Sequence, residues 1–417
     1  MDISEGDTIH KTIIIGLDGV PCSLLREYFK KDMLPHIKDL VHNEVHPMKS
    51  SVPAISNVSW TSMFTGTNPG THGIYGFTDF IPNSYTVCFP NRYAIKANPY
   101  WYNGHEHLVV NMPGTYPPRP MNGALVSGFV SLDINKAVQP PSLLKDIIRY
   151  NYQVDVDVTK IQNSVNLFYK DLHTTLVNRT YLMKRILDKY PNWSTNTFIV
   201  TGTDRLLHYR WNQRFNEATK QYLSLVDESV HNVVSWCKDY DQLILLSDHG
   251  MTNIVKEVNL NLFLHQQGVF NIDTSQKNKR GGFNNVTRDT MMFSLAPGRI
   301  YLHTKDRFPR GHFHIPQDTI DYVKQQLMKL TYQGQPVVKR IYDKQEVYWG
   351  PQTHNAPNIV VVPNDGFLLS GTLTLSEPVF MNPPEHLQGM HTDEAFVFTK
   401  QGPTPLTIQE VYPCITN

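Results

Sequence analysis

The sequence predicts an α/β protein in which a mostly parallel β-sheet carries helices on both faces. Three observations lead there. Short aliphatic and β-branched runs have the character of strands buried on both faces; segments with helical apolar spacing lie between them; and carboxylates or histidines stand where the runs end. With 417 residues, 40% of them hydrophobic and 18% charged, the chain can bury a large core, which excludes disorder. No repeat, low-complexity tract or flexible linker divides it, so residues 1–417 are expected to form one elaborated domain.

The elements follow in chain order. Thr12-Ile-Ile-Ile-Gly-Leu17 is a buried strand that ends at Asp18-Gly19. Leu24, Leu25, Tyr28 and Phe29, then Leu34, Ile37 and Leu40, give a helical pattern. In Pro53-Ala-Ile-Ser-Asn-Val-Ser-Trp-Thr-Ser-Met-Phe-Thr-Gly66 a loop becomes a helix at Ser56, with Trp60, Met63 and Phe64 as its core anchors. His107–Asn111 is a second strand, Thr197–Thr201 a third and Gln242–Leu246 a fourth. Tyr222, Leu223, Val226, Val230, Val233, Val234 and Cys237 form one face of a helix between the last two, completing a βαβ unit. A helix from about Asp318, with Ile320, Val323, Leu327 and Leu330 on one face, precedes a last strand at Asn358–Val362. Residues 78–105, rich in Asn, Pro and Tyr, and residues 272–315, polar with Gly281-Gly282, Arg299, Arg307 and Arg310, read as small excursions overhanging a site.

Charge narrows the partners. Thirty-eight Lys and Arg against 37 Asp and Glu leave a net charge of +1, too little for binding to a nucleic-acid polymer or an anionic membrane. A small-molecule partner is expected, and the oligomeric state is left open. The four cysteines, Cys22, Cys88, Cys237 and Cys414, are scattered and fit a reducing compartment. Met1–Lys11 is polar, and no apolar run approaches the roughly 18 residues of a membrane span, so a cytoplasmic location is expected. The sequons at Asn178 and Asn192 then carry no sugar.

In open α/β sheets ligands bind beyond the carboxyl ends of the strands. Here those ends carry Asp18, Thr203-Asp204 and Ser247-Asp248-His249-Gly250, and His208 stands four residues after Asp204 on the same helical face. Each signal alone has an ordinary reading, as a turn, a helix cap or a solvated face. Together, three carboxylates and two imidazoles at strand ends are best satisfied by divalent metal, and a pair of ions suits phosphoryl transfer. Ser56, at a helix start, is the candidate nucleophile, because metal coordination can activate a serine without a histidine base.

At these residues the chain resembles the type I phosphodiesterase and nucleotide pyrophosphatase branch of the alkaline phosphatase superfamily. The resemblance is carried by Ile15-Gly-Leu-Asp-Gly19, Pro53 to Gly66, Asn68-Pro-Gly-Thr-His-Gly-Ile74, Thr203-Asp-Arg-Leu-Leu-His208, Leu246-Ser-Asp-His-Gly-Met251 and Gly389-Met-His391. Weaker likenesses lie at Asn111–Pro117, Val126–Phe129 and Gly298–Tyr301. The resemblance implies an alkaline-phosphatase-like core and adds His391, isolated in sequence, as a last metal ligand. It implies two divalent ions, zinc before manganese or iron, one held by Asp204, His208 and His391 and the other by Asp18, Asp248, His249 and Ser56. The implied reaction is an in-line attack by Ser56 on phosphorus, giving a phospho-enzyme that water then hydrolyses.

The chain departs from the pattern in carrying Ser56 where nucleotide pyrophosphatases have threonine, and Ser59 where they have asparagine. Asn57 and Ser59 are therefore the candidates for contacting substrate. Sulfatase chemistry is disfavoured, because the Pro and Arg that follow its nucleophile are absent. A phosphomonoester dianion usually recruits an arginine beside the nucleophile. No Lys or Arg lies between Ser50 and Asn91, which favours diesters or pyrophosphates unless Arg299, Arg307 or Arg310 reaches in; the plain reading of those three is surface charge. The alternatives are a phosphomonoesterase or phosphotransferase of the same superfamily, or a non-catalytic metal-bound binding protein. His72 reads as structural, and His105-Glu-His107 and His312-Phe-His314 as solvent-exposed pairs.

Overall fold

The computed structural model describes residues 10–273 and 282–416; the polar start of the chain and Gly281 lie outside them. An eight-stranded sheet forms the centre, in the order His46–Lys49, Glu394–Thr399, Gln242–Leu246, Thr12–Leu17, Thr195–Val200, His107–Met112, Gly123–Ser127, Val138–Gln139. The five strands from Gln242–Leu246 to Gly123–Ser127 run parallel; Glu394–Thr399 and Val138–Gln139 beside them run antiparallel, and His46–Lys49 pairs antiparallel with Glu394–Thr399 at the edge. The expected α/β class and its four leading strands are present.

Both faces of this sheet are buried, which explains the uninterrupted apolar runs. Ile13, Ile15, Leu17, Leu243 and Leu245 face one cluster, beneath the helices Cys22–Lys30, Val165–Lys189 and Glu217–Trp236. Ile14, Ile244 and Leu246 face the other, with Trp60, Met63 and Phe64 of the Ser56–Thr65 helix. Strand alternation produces this split. Gly16 is what lets that helix sit so close: a Cβ there would lie 2.5 Å from the Trp60 ring and 2.6 Å from Ile199.

The structure departs from the expected pattern in two places. The 25-residue helix Val165–Lys189 does not stand out in the sequence, because its buried face mixes Phe168, Leu172, Leu176 and Met183 with Thr175, Arg179 and Thr180. The strand read at Asn358–Val362 occupies Ile359–Pro363 and does not join the parallel sheet. It lies in a separate four-stranded antiparallel sheet with Met292–Leu295, Arg299–Leu302 and Val338–Asp343. An apolar run reports burial on two faces and not the partner strand, so the two settings look alike in sequence. Two of these strands come from the polar 272–315 stretch, and Phe80 from the 78–105 stretch packs edge-on against Phe283, Phe293, Tyr301 and Phe308 in the core beneath them.

A third sheet is built on Gly250–Asn259, which continues from the Gln242–Leu246 strand and pairs antiparallel with Gly389–Thr392, placing Met251 opposite His391. That pairing carries the chain from residue 391 back to the ends of the central strands. No described helix is long and apolar enough to cross a membrane.

Candidate active site

Five elements deliver the predicted residues to one place. Asp18 follows the Thr12–Leu17 strand, where its amide donates to the Val200 carbonyl. Asp204 and His208 lie on the helix Gly202–Arg210, just after Thr195–Val200, and the Thr203 hydroxyl donates to the Asp18 carbonyl at 2.6 Å. Asp248 and His249 follow Gln242–Leu246, and His391 arrives on Gly389–Thr392, the antiparallel partner of the next strand, Gly250–Asn259. Ser56 is the first residue of a helix whose ten residues are all buried. Its Oγ lies 3.0 Å from His249 Nε2 and 3.3 Å from Asp18 Oδ1.

The three imidazoles share one arrangement. His208 Nδ1 faces the Gly389 carbonyl at 2.8 Å, His249 Nδ1 the Gly250 carbonyl at 2.9 Å, and His391 Nδ1 the Ala54 carbonyl at 3.0 Å. A carbonyl only accepts, so each Nδ1 must carry the proton and each Nε2 offers a lone pair. Those Nε2 atoms converge: His208 and His391 are 2.8 Å apart, and the His249 and His391 rings stack at 3.7 Å. Asp204 Oδ1 sits among them, 3.4 Å from His208, 3.3 Å from His391 and 4.0 Å from His249. Lone pairs aimed at lone pairs and at a carboxylate oxygen repel unless a cation lies between them, and histidine ligands to metals are oriented by just such carbonyl bonds.

The carboxylates make the same demand. Asp204 Oδ1 and Asp248 Oδ2 are buried without a hydrogen-bond partner. Burial, with Asp248 and Asp204 beside it, raises the Asp18 carboxyl well above its usual range. Burial and Asp204 push Asp248 up to about 7. Burial opposes charge on Asp204 too, but His208, His391 and Arg205 outweigh it and hold that carboxyl below its usual range. Burial likewise lowers His208 to about 4 and holds His249 well below the usual imidazole range, which keeps both neutral. Among the described residues, two groups have the spacing of a metal site, Asp204 with His208 and His391, and Asp18 with Asp204 and His249. The donor set, mixed imidazole and carboxylate with orphaned oxygens, fits divalent cations.

The remaining candidates divide. Asn57 adjoins Ser56, but its amide donates to the Gly76 carbonyl at 3.2 Å and its oxygen lies against Gly114, where a Cβ would approach to 2.6 Å. Ser59 is fully buried, and its hydroxyl joins Ser51 at 2.7 Å and Ser50 at 2.9 Å in a chain that pins the loop before Ser56. Arg299 is not surface charge: it is fully buried, with its guanidinium on the Thr78 and Ala296 carbonyls. Arg307 bonds the Ala356 carbonyl, and Arg310 the Asn284 and Val286 carbonyls. His72 is buried between Ser62 and the Ile74 amide, a structural setting. His107, read as exposed, is buried and bonded to Thr195 and Asn103, because it begins a central strand. His312 is partly buried, on the Thr290 carbonyl.

Three participants do not stand out in the sequence. Trp60, on the turn after Ser56, donates from its indole to Asp18 Oδ2 at 3.1 Å, a link that its i,i+4 spacing from Ser56 hints at. Arg205 bonds Asp204 Oδ2 at 2.9 Å and Asp155 Oδ2 at 2.8 Å. Arg205 adjoins Asp204 in sequence, but nothing in the sequence signals Asp155.

A family model described as type I phosphodiesterase / nucleotide pyrophosphatase matches residues 12–392. No curated protein sequence matches the chain. Among solved structures, phosphonoacetate hydrolase from Sinorhizobium meliloti 1021 in complex with phosphonoacetate is similar with a TM-score of 0.64 and 13% identity, over 98% of this chain and 95% of that one. Murine ectonucleotide pyrophosphatase / phosphodiesterase 5, in an inactive form in complex with AMP, is similar with a TM-score of 0.56 and 14% identity, over 97% and 93%. At such identities the likeness is one of fold, and it is the alkaline-phosphatase-like fold that the motifs imply.

Proposed function

The chain belongs to the type I phosphodiesterase / nucleotide pyrophosphatase family, metal-dependent enzymes that hydrolyse phosphoester bonds, and we propose that it cleaves a phosphodiester or nucleotide pyrophosphate bond through a covalent intermediate on Ser56. The observation that carries this reading is the convergence of three proton-oriented imidazoles and two orphaned carboxylate oxygens beside a serine at a helix start. Asp204, His208 and His391 would hold one divalent ion, and Asp18, Asp248, His249 and the Ser56 oxygen the other, zinc being favoured by the ligand chemistry. Such ions, when bound, supply Lewis acidity that makes the serine hydroxyl a nucleophile and offsets charge on the phosphoryl group.

The chain's own residues do the rest. Ser56 Oγ forms a bond to phosphorus as the bond to the leaving oxygen breaks, and water later cleaves the Oγ–P bond. The amino end of the Ser56–Thr65 helix directs its dipole at the phosphoryl oxygens. Asn57 and the Ser50–Ser51–Ser59 hydroxyl chain keep the loop and helix start in place. Charge supports a diester over a monoester. Arg299, Arg307 and Arg310 are committed to backbone carbonyls and Arg205 to two aspartates, so none is free to pair with the second charge of a monoester dianion. Ligands drawn from residues 18 to 391 support a single working domain, and the four unpaired cysteines support a reducing, cytoplasmic setting.

The test is a hydrolysis panel on zinc-reconstituted protein, with aryl phosphodiester, aryl monophosphate, dinucleotide and nucleotide-sugar substrates. Diester or pyrophosphate turnover should exceed monoester turnover, and Ser56→Ala should lose it by orders of magnitude while keeping its zinc. Retained turnover in that variant would remove Ser56 as nucleophile, and a monoester preference would overturn the substrate class.

A further inference from the structure

We propose that Arg205, anchored by Asp155, is a positioning residue that fixes Asp204 for metal binding; the proposal rests on the metal-centre reading above. Asp204 has two carboxylate oxygens with different surroundings. Oδ2 accepts from Arg205 NH1 at 2.9 Å, whereas Oδ1 is buried, without a hydrogen-bond partner, and turned toward the Nε2 atoms of His208, His391 and His249. Holding one oxygen selects which the centre receives, and in one orientation. Asp204 lies within reach of both candidate ion positions, and the held orientation puts Oδ1 nearer His208 and His391, at 3.4 and 3.3 Å, than His249, at 4.0 Å.

Arg205 is itself immobilised. Its Nε and NH2 both meet Asp155 Oδ2, at 2.9 and 2.8 Å, and its guanidinium stacks 4.6 Å over the Phe129 ring. The guanidinium fork thus bridges two carboxylates, a geometry that a lysine ammonium does not reproduce. Asp155 is held in turn: its Oδ1 accepts from the Val156 amide at 2.8 Å, and the long Val165–Lys189 helix secures the surrounding segment. Arg179 on that helix donates to the Gln153 and Val154 carbonyls, and Asp171 accepts from the Asp157 amide. An unbroken chain of bonds therefore runs from that helix through Asp155 and Arg205 to Asp204.

The experiment is zinc competition against a chromophoric chelator on metal-free full-length protein. Arg205→Gln should raise the zinc dissociation constant of one of two sites by about ten- to a hundredfold, the usual cost of losing a residue that orients a ligand, with the other site little changed. Asp155→Asn, a milder change at a partly exposed side chain, should weaken the same site, and the double variant should bind no more weakly than Arg205→Gln alone, because both act through one chain of contacts. Unaltered zinc affinity, equal weakening of both sites, or additive losses would overturn the proposal. A wild-type protein that took up no zinc would instead overturn the metal-centre reading itself.

Discussion

Each imidazole of the centre performs two tasks, one at each nitrogen. Its Nδ1 proton is fixed on a carbonyl, and its Nε2 is thereby left as a lone pair for a cation. Trp60 does the corresponding work for Asp18, holding Oδ2 so that Oδ1 faces Ser56. Trp60→Phe keeps an aromatic ring but loses that donor. It should lower the stability of the metal-free protein by about 2–4 kcal/mol, combining the smaller ring with a lost bond to a carboxylate. The zinc dissociation constant should rise about tenfold. Urea denaturation and zinc competition measure the two effects, and an unchanged zinc affinity would show that Asp18 needs no such support.

At the scale of the element, the Ser56–Thr65 helix is buried along its whole length and stops at Gly66, whose φ of 64° ends it in the left-handed conformation. The short Pro69–His72 helix follows and turns back against it, His72 accepting from the Ile74 amide at Nδ1 and donating from Nε2 to Ser62. Burial lowers His72 to about 3, so the folded chain keeps it neutral where the unfolded chain, near 6.5, takes up a proton. Between those values the unfolded state binds more protons, so stability rises with pH and is lost as pH falls below about 6.5, by up to about 1.4 kcal/mol per pH unit for this residue. His72→Gln, which cannot titrate, should be less stable than the parent at pH 7, with the gap narrowing by pH 5. Urea midpoints of the metal-free proteins at the two pH values test this. A constant gap would mean that His72 takes up its proton at the same pH in the folded and the unfolded chain.

For the whole molecule, the candidate centre lies where the parallel sheet, the Ser56–Thr65 helix and the strand pair Gly250–Asn259 and Gly389–Thr392 meet. Charge on the buried Asp18 and Asp248 at that junction opposes folding until a cation offsets it, so metal and fold should be coupled. Zinc at a hundredfold excess over its dissociation constant should add about 2.7 kcal/mol per ion. Scanning calorimetry should therefore show the melting temperature rising with zinc and falling back with chelator. A melting temperature indifferent to both would argue against a built metal centre.

Much of this was legible in the chain alone. Ligands in open α/β sheets bind beyond the carboxyl ends of the strands, so the runs closing at Asp18, near Asp204 and at Asp248-His249 marked a candidate site, and the break from loop to helix marked Ser56 as a candidate. His391 stood alone in sequence and came from family resemblance; its place depends on Met251 pairing opposite it. The tertiary structure alone decided that Ser59 turns into a buried hydroxyl chain, that Arg299 bonds carbonyls rather than solvent or substrate, and that Asp155 meets Arg205 across fifty residues. The physical reason is common to all three. Periodicity along a chain reports how deeply a side chain is buried, whereas its partner is set by the geometry of elements that pack together from distant parts of the chain.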